Sequence, residues 1–257
     1  MSKPLNKGLN KKSRLDTFIV DRGLVKSRHR AKALIMAGKV LVNDCPVDKA
    51  GTLIADDSSV IVKQDDNPFV SRGGLKLEAA LKNIPVSVTG MTCLDIGAST
   101  GGFTDCLLQY GAAKVYAVDV GYGQFDWILR QDSRVRVIER TNIRQLAYEK
   151  INEKMDIVVV DTSFISLKVV IPAAEKFMRD HTLVLALIKP QFEAGKQNVG
   201  KGGVVKDPEI RKSVIKALKA FFKERGYLVN IIVPSPISGP KGNKEYIISL
   251  NFKENLN

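Results

Sequence analysis

The stretch LDIGASTGGFTD, Leu94 to Asp105, decides how the rest of the chain is read. A short apolar run ends in an acidic residue and passes into a turn of glycines and small residues, the form taken where a backbone must come close to a nucleotide-like ligand. A dinucleotide fingerprint needs G-x-G-x-x-G, and a P-loop needs a Lys after its last glycine. From Gly97 the third residue is Ser99, and Phe103 follows Gly102, so both are excluded. The motif present is D-x-G-x-S-x-G, Asp95 to Gly101, a turn with no pyrophosphate to cradle.

Apolar runs on either side of this turn, including KVYAVDV, RVRVIE, MDIVVVD, TLVLALIK, GYLVNIIVP and EYIISLNF, alternate with helical patterns such as LKLEAALK and EIRKSVIKALKAFFKE. That alternation predicts an α/β fold with a mostly parallel, doubly wound sheet. GPKGNKE between the last two runs reads as a hairpin-like loop, which makes the last strand antiparallel. DPEIR sets Asp207 as N-cap and Pro208 at the first helical position of the long helix.

A smaller unit precedes this domain. RLDTFIVDRGLV is read as a helix stopping at Gly23, and SRHRAKALIMAG as a second, capped by Ser27 and ended at Gly38. KVLVND, a turn at Cys45-Pro46, and SSVIVK supply strands. Residues 12–63 form this unit, 64–70 a linker that takes in most of the polar connector KQDDNP, and 71–257 the larger domain.

The formal net charge of +13 on 257 residues points to an acidic partner, most simply nucleic acid. Three cysteines, Cys45, Cys93 and Cys106, lack zinc-site or disulfide spacing, so no metal is expected. The N-terminus has no signal-peptide core, and no segment reaches the ~20 apolar residues that span a bilayer. A cytoplasmic protein without membrane association is the expectation.

The turn, together with Asp119 closing the next strand in AVDVGYGQ, resembles the cofactor motif of class I S-adenosylmethionine-dependent methyltransferases. The resemblance implies S-adenosyl-L-methionine held by Asp95, Gly97, Ser99, Gly101 and Asp119. Asn142, in ERTNIR, is placed to meet the adenine or to serve as a turn residue. Ser99 replaces the middle glycine of the usual pattern. The N-terminal unit, from its RLD start through SR to AGKVLVN, resembles the S4 RNA-binding domain. That likeness implies RNA contacts from Arg14, Ser27, Arg28, Arg30, Lys32 and Lys39.

The methyl acceptor is read from the residues at the ends of the later strands. An amino group on a base calls for an Asn/Asp-Pro-Pro-aromatic motif after the fourth strand, where VVVDTSFISL stands instead. Carbon methylation of a pyrimidine needs a nucleophilic cysteine, and none of the three is suitably placed. A ribose hydroxyl needs a group that takes or polarises its proton, a task open to lysine. Lys76 in SRGGLKL, Asp161 in VVVDTSF, Lys189 in ALIKPQFE and Glu245 in GNKEYIISL give a K-D-K-E order. It resembles the catalytic tetrad of FtsJ-type ribose 2′-O-methyltransferases.

Taken in order with SPISGPKGNKEY, these segments are similar to the TlyA family of ribosomal RNA 2′-O-methyltransferases, also recorded as haemolysins. The family implies methylation of a cytidine ribose in 23S rRNA, in some members 16S rRNA as well, with rRNA or ribosomal subunits as partners. Here NPFV stands where the family often carries Arg-x-Trp-Val in its linker. Two other readings are a haemolysin-like membrane-active protein and a non-catalytic RNA-binding ribosome assembly factor. The loop EAGKQNVGKGGVVK, Glu193 to Lys206, is a candidate clamp on bound RNA or a plain surface loop.

Overall fold

The computed structural model describes residues 12–25, 27–63 and 67–254. The N-terminal basic residues 1–11 and residues 64–66 of the connector lie outside this set. The chain divides into two compact units between Asp66 and Asn67.

The first unit opens with β1 (Lys12–Arg14), α1 (Leu15–Asp21) and α2 (Arg28–Met36). Short strands come next: β2 (Val40–Val42), β3 (Cys45–Pro46), β4 (Leu53–Ala55) and β5 (Val60–Val62). Gly23, at φ 69°, lets the chain leave α1 through a left-handed turn. The Ser27 hydroxyl accepts the Arg30 N–H at 3.3 Å, capping α2. Leu15, Phe18 and Ile19 of α1 meet Ala31, Leu34 and Ile35 of α2 in a core closed by Val40 and Ile54.

The turn expected at Cys45-Pro46 lies two residues earlier, and Cys45-Pro46 is the strand β3. Asn43 and Asp44 both have positive φ, at 49° and 62°, the twist that joins two antiparallel strands through two residues. Val42 then pairs with Cys45 and Leu41 with Pro46. Proline is tolerated there because β3 is an edge strand. The Asn43 side chain accepts the Ser59 N–H at 3.0 Å, fixing the turn to the edge of β5.

The second unit runs α3 (Gly73–Asn83), β6 (Thr92–Ile96), α4 (Gly102–Gln109), β7 (Lys114–Val118), α5 (Trp127–Gln131), β8 (Val135–Ile138) and β9 (Met155–Val160). It continues with α6 (Leu167–Ala174), β10 (Met178–Ile188), α7 (Pro190–Glu193), α8 (Pro208–Glu224), β11 (Leu228–Pro234) and β12 (Tyr246–Asn251). Seven strands lie in the order β11-β12-β10-β9-β6-β7-β8. β12 is antiparallel to both neighbours, as GPKGNKE implied.

The continuous apolar runs of the central strands reflect burial on both faces. Val158, Val160, Val184, Ala186 and Ile188 turn to one core, with α6 and α8 supplying Val170, Ile171, Leu218 and Phe222. Ile157, Val159, Leu183, Leu185 and Leu187 turn to the other, against Leu77 and Ala80 of α3 and Phe103 and Leu107 of α4. The period-two alternation divides each strand between two cores. α8 starts where expected, with the Asp207 carboxylate accepting the Glu209 N–H at 2.8 Å and Pro208 in its first turn.

Strand order reverses around β6, which has β7 on one side and β9 on the other. Doubly wound sheets bind ligands at the carboxyl edge beside such a reversal. Gly97, Asp119, Asp161 and Lys189 come directly after the ends of β6, β7, β9 and β10. Because β12 runs the other way, Glu245, just before its start, comes to the same edge.

Candidate active site

The glycine-rich turn is held by close backbone approaches. Gly97 has φ 85°, and a Cβ there would stand 2.7 Å from the Asp161 carbonyl oxygen. Gly101 has φ 95°, and a Cβ there would meet Leu129 Cδ1 at 2.5 Å. Ser99 adopts φ 50° between them, a conformation costly for a residue with a side chain. The Asp119 carboxylate holds it, accepting the Ser99 N–H at 2.8 Å and the Gly121 N–H at 2.6 Å. Asp119 thus shapes the turn as well as standing beside it.

Asp95 is sealed beneath the turn, fully buried. One oxygen accepts the Thr104 hydroxyl at 2.7 Å, and the other has no hydrogen-bond partner. Burial pushes its pKa up to about 7, against the pull of the Thr104 bond and with the negative charges of Asp161 and Asp119 adding to the rise. Asn142 stands after β8 beside Thr141, whose N–H donates to the Asp119 carbonyl at 2.9 Å. Its carboxamide oxygen accepts the Arg144 N–H at 3.0 Å, closing a turn after β8.

A cleft of about 390 Å³ opens beside the turn, walled by Ser99, Thr100 and Gly102 on one side and by Ser71, Gly73 and Lys76 on the other. Asp161 and Gly239 complete it. The glycines of SRGG and of the turn have a shared steric reason. A Cβ on Gly102 would lie 2.3 Å from Ser71 Oγ and 3.0 Å from the Gly74 nitrogen, and one on Gly74 would lie 2.3 Å from the Phe69 ring. The starts of α3 and α4 therefore approach at a distance that only glycine allows. Phe69, from NPFV, is buried against this junction, and the Val70 N–H donates to Asp105 at 2.7 Å.

Two lysine–carboxylate pairs meet this cleft. Lys76 Nζ donates to Glu245 Oε2 at 2.6 Å, with the lysine side chain 10% exposed and the glutamate fully buried. Lys189 Nζ lies 2.5 Å from Asp161 Oδ1 and donates to Ser163 Oγ at 3.1 Å. A buried pair of this kind strongly resists loss of one partner, at a cost of about 3–5 kcal/mol for the charge left behind. Gly239 is needed because a Cβ there would fall 1.9 Å from Glu245 Oε1. Asn243 braces the neighbouring loops, donating to the Gly203 carbonyl at 2.9 Å and accepting the Val205 N–H at 3.1 Å.

Sequence reading missed Ser163 and Phe164. Phe164 lies just beyond Asp161 at φ 64°, is 90% exposed, and tilts against the Phe192 ring at 4.9 Å. An aromatic residue a few positions past the end of a buried strand, with no strand left to cover it, was the available signal.

In the first unit, Arg14 and Arg28 both bond Asp16, while Lys32 is exposed and Arg30 and Lys39 are half-buried. Ser27 is engaged as the cap of α2.

The reversed strand within a seven-stranded sheet, and a glycine turn opening on a cleft lined by one member of each of two lysine–carboxylate pairs, define a class I methyltransferase. Residues 69–252 match the FtsJ-like methyltransferase family and residues 13–66 the S4 domain. The chain belongs to the FtsJ-like methyltransferases, in the TlyA group that joins such a domain to an S4 domain. It is 47% identical to YqxC of Bacillus subtilis over 95% of this chain and 87% of that protein. It is 46% identical to 16S/23S rRNA (cytidine-2′-O)-methyltransferase TlyA of Mycobacterium tuberculosis over 93% of this chain and 90% of that one. A solved structure from Streptococcus thermophilus that bears the hemolysin name is 42% identical, with a TM-score of 0.74 over 96% of this chain and 90% of its own. Among the described residues, no helix is long and apolar enough to cross a membrane.

Proposed function

We propose that the chain transfers a methyl group from S-adenosyl-L-methionine to the ribose 2′-hydroxyl of a cytidine in 23S rRNA, with 16S rRNA as a second substrate, acting in the cytoplasm on rRNA or ribosomal subunits. The observation that carries this reading is that Asp161, paired with Lys189, and Lys76, paired with Glu245, line one cleft beside the glycine turn. The likeness to TlyA of Mycobacterium tuberculosis supports the choice of nucleoside.

The residues present fit the cofactor. The turn from Gly97 to Gly102 puts only small residues beside the cleft, and the Asp119 carboxylate has acceptor capacity beyond its two backbone donors for ribose hydroxyls. Asp95, with its orphaned oxygen, backs the turn from inside. When bound, the cofactor supplies an electrophilic methyl on a sulfonium.

The chain's own residues supply the rest. A ribose hydroxyl attacks poorly until its proton is removed or polarised. Lys189 donates to Ser163 Oγ and is ion-paired with Asp161, and an ammonium carries three donors, which leaves capacity to meet the 2′-oxygen. Asp161 orients that lysine, and Lys76 with Glu245 completes the polar wall. Phe164, exposed next to Asp161, offers a ring on which a base lifted out of its stack can rest. Arg14, Arg28, Arg30, Lys32 and Lys39 grip the RNA backbone.

The deciding experiment incubates the purified chain with S-adenosyl-L-methionine and ribosomal subunits lacking the modification, then maps ribose methylation in both rRNAs. A new 2′-O-methylcytidine in 23S rRNA, with a second in 16S rRNA, is the expected result. Methylation on a base, or none on either subunit or free rRNA, overturns the reading.

A further inference from the structure

In the first unit a single buried carboxylate holds two surface arginines. The Asp16 side chain is 0% exposed, whereas those of Arg14 and Arg28 are 49% and 56% exposed. Arg14 grips both carboxylate oxygens, Nε to Oδ1 at 3.0 Å and Nη2 to Oδ2 at 3.2 Å. Arg28 adds Nη2 to Oδ2 at 3.1 Å. Gly51 provides the bed beneath Arg14, since a Cβ there would come 3.1 Å from Nη1 and 3.3 Å from Nη2.

One bidentate arginine is enough to neutralise a buried aspartate. The second leaves the cluster with a net positive charge. The two planar guanidiniums come from different elements, Arg14 from the end of β1 and Arg28 from the start of α2, and converge on one point. Each keeps N–H donors that Asp16 does not use, and a fixed fork of such donors suits a phosphate oxygen better than a freely rotating side chain does. The arrangement also keeps the Asp16 carboxylate ionised, at about 2, through the Arg14 hydrogen bond first and against the opposing effect of burial.

We infer that Asp16 is a positioning residue for RNA: its buried carboxylate fixes Arg14 and Arg28 side by side as a preformed two-guanidinium clamp on a backbone phosphate. This rests on the reading of the first unit as RNA-binding.

The sign of one substitution separates a clamp from general electrostatics. If only summed charge matters, Asp16→Asn removes a negative charge and tightens RNA binding. If Asp16 positions the arginines, the same change weakens binding although the protein becomes more basic. The test measures affinity of the full chain for a transcribed helical segment of 23S rRNA over a salt series, with thermal melting as the control for folding.

Asp16→Asn is expected to bind on the order of tenfold more weakly, with a salt slope shallower by roughly 0.7–0.9 per lost phosphate contact. Binding as tight as wild type, or tighter, in the folded variant overturns the inference. Should Asp16→Asn unfold, Arg14→Lys decides, because it keeps the charge and loses the fork that Asp16 holds. Weaker binding with an unchanged melting temperature supports the clamp, and unchanged binding overturns it. The double variant Arg14→Ala/Arg28→Ala isolates the underlying reading. If that variant binds as wild type, this unit does not grip RNA through these residues and both readings fail, whereas weak binding there alongside a wild-type Asp16→Asn removes only the role of Asp16.

Discussion

Glu193 of α7 accepts the Ser166 hydroxyl at 2.6 Å through one oxygen and the Leu167 N–H at 2.8 Å through the other. It thereby ties the segment after β10, which carries Lys189, to the segment after β9, which carries Asp161. Burial raises the Glu193 pKa, and the bonds from Ser166 and Leu167 offset part of that rise.

Glu193→Gln can keep both links, its carbonyl accepting from Leu167 and its amide donating to Ser166, so near wild-type turnover is expected. Glu193→Ala leaves a helix-start N–H and a hydroxyl without their partner, at about 1–3 kcal/mol. A fall in kcat larger than any loss of cofactor affinity is expected. Wild-type turnover in the folded alanine variant would remove Glu193 from any positioning role.

Lys189→Ala removes the group nearest the proposed proton. Turnover should fall by roughly 10²–10⁴-fold, while S-adenosyl-L-methionine and RNA affinities stay close to wild type. Single-turnover methyl transfer reads this directly. A wild-type rate shows that Lys189 is only the counter-ion of Asp161.

Asp119→Ala has two consequences that calorimetry and melting separate. The backbone N–H groups of Ser99 and Gly121 lose their acceptor, which lowers stability by roughly 1–3 kcal/mol. Cofactor affinity should fall by at least about tenfold, since both the turn and a ribose acceptor are lost. A variant that melts early and binds the cofactor normally would make Asp119 a structural residue alone.

Asp95 gives a pH signature. Its folded pKa of about 7 lies above the ordinary 3.8, so the folded chain holds this proton more tightly than the unfolded chain. The resulting stability is fully present below pH 3.8 and is lost as pH rises through about 7. Asp95→Asn keeps an acceptor for Thr104 and has no charge to bury, so its stability relative to wild type should improve between about pH 5 and pH 8, by a few kcal/mol at most. Denaturant unfolding at both pH values measures the difference. Parallel changes in the two proteins would show that Asp95 stays ionised throughout.

Local signals carried most of the fold into view. The D-x-G-x-S-x-G turn was readable because Gly97 and Gly101 both take positive φ within one short turn, and the caps Ser27 and Asp207 act on N–H groups two or three positions away. Demands made across long separations left no such trace. Nothing in SRGGLKL shows that Gly74 must clear Phe69 or that Gly102 must clear Ser71, and Gly239 looks like an ordinary loop glycine until Glu245 is seen against it. The Lys76–Glu245 bond spans 169 positions, so its partners were placed by resemblance and not by spacing. The Asn43-Asp44 turn was misplaced because proline drew attention to Cys45-Pro46, while asparagine and aspartate at positive φ were the stronger signal.

The position of β12 bears on when the enzyme becomes competent during its own synthesis. This strand fills the space between β10 and β11, and the residue just before it completes the pair with Lys76. A ribosome that has translated through Lys189 has made the glycine turn, Asp161 and three of the four titratable groups, yet β10 still lacks the neighbour that closes the sheet. Until residues 245–251 emerge, the nascent chain can present its paired arginines without a finished catalytic wall, so methyl transfer waits for β12.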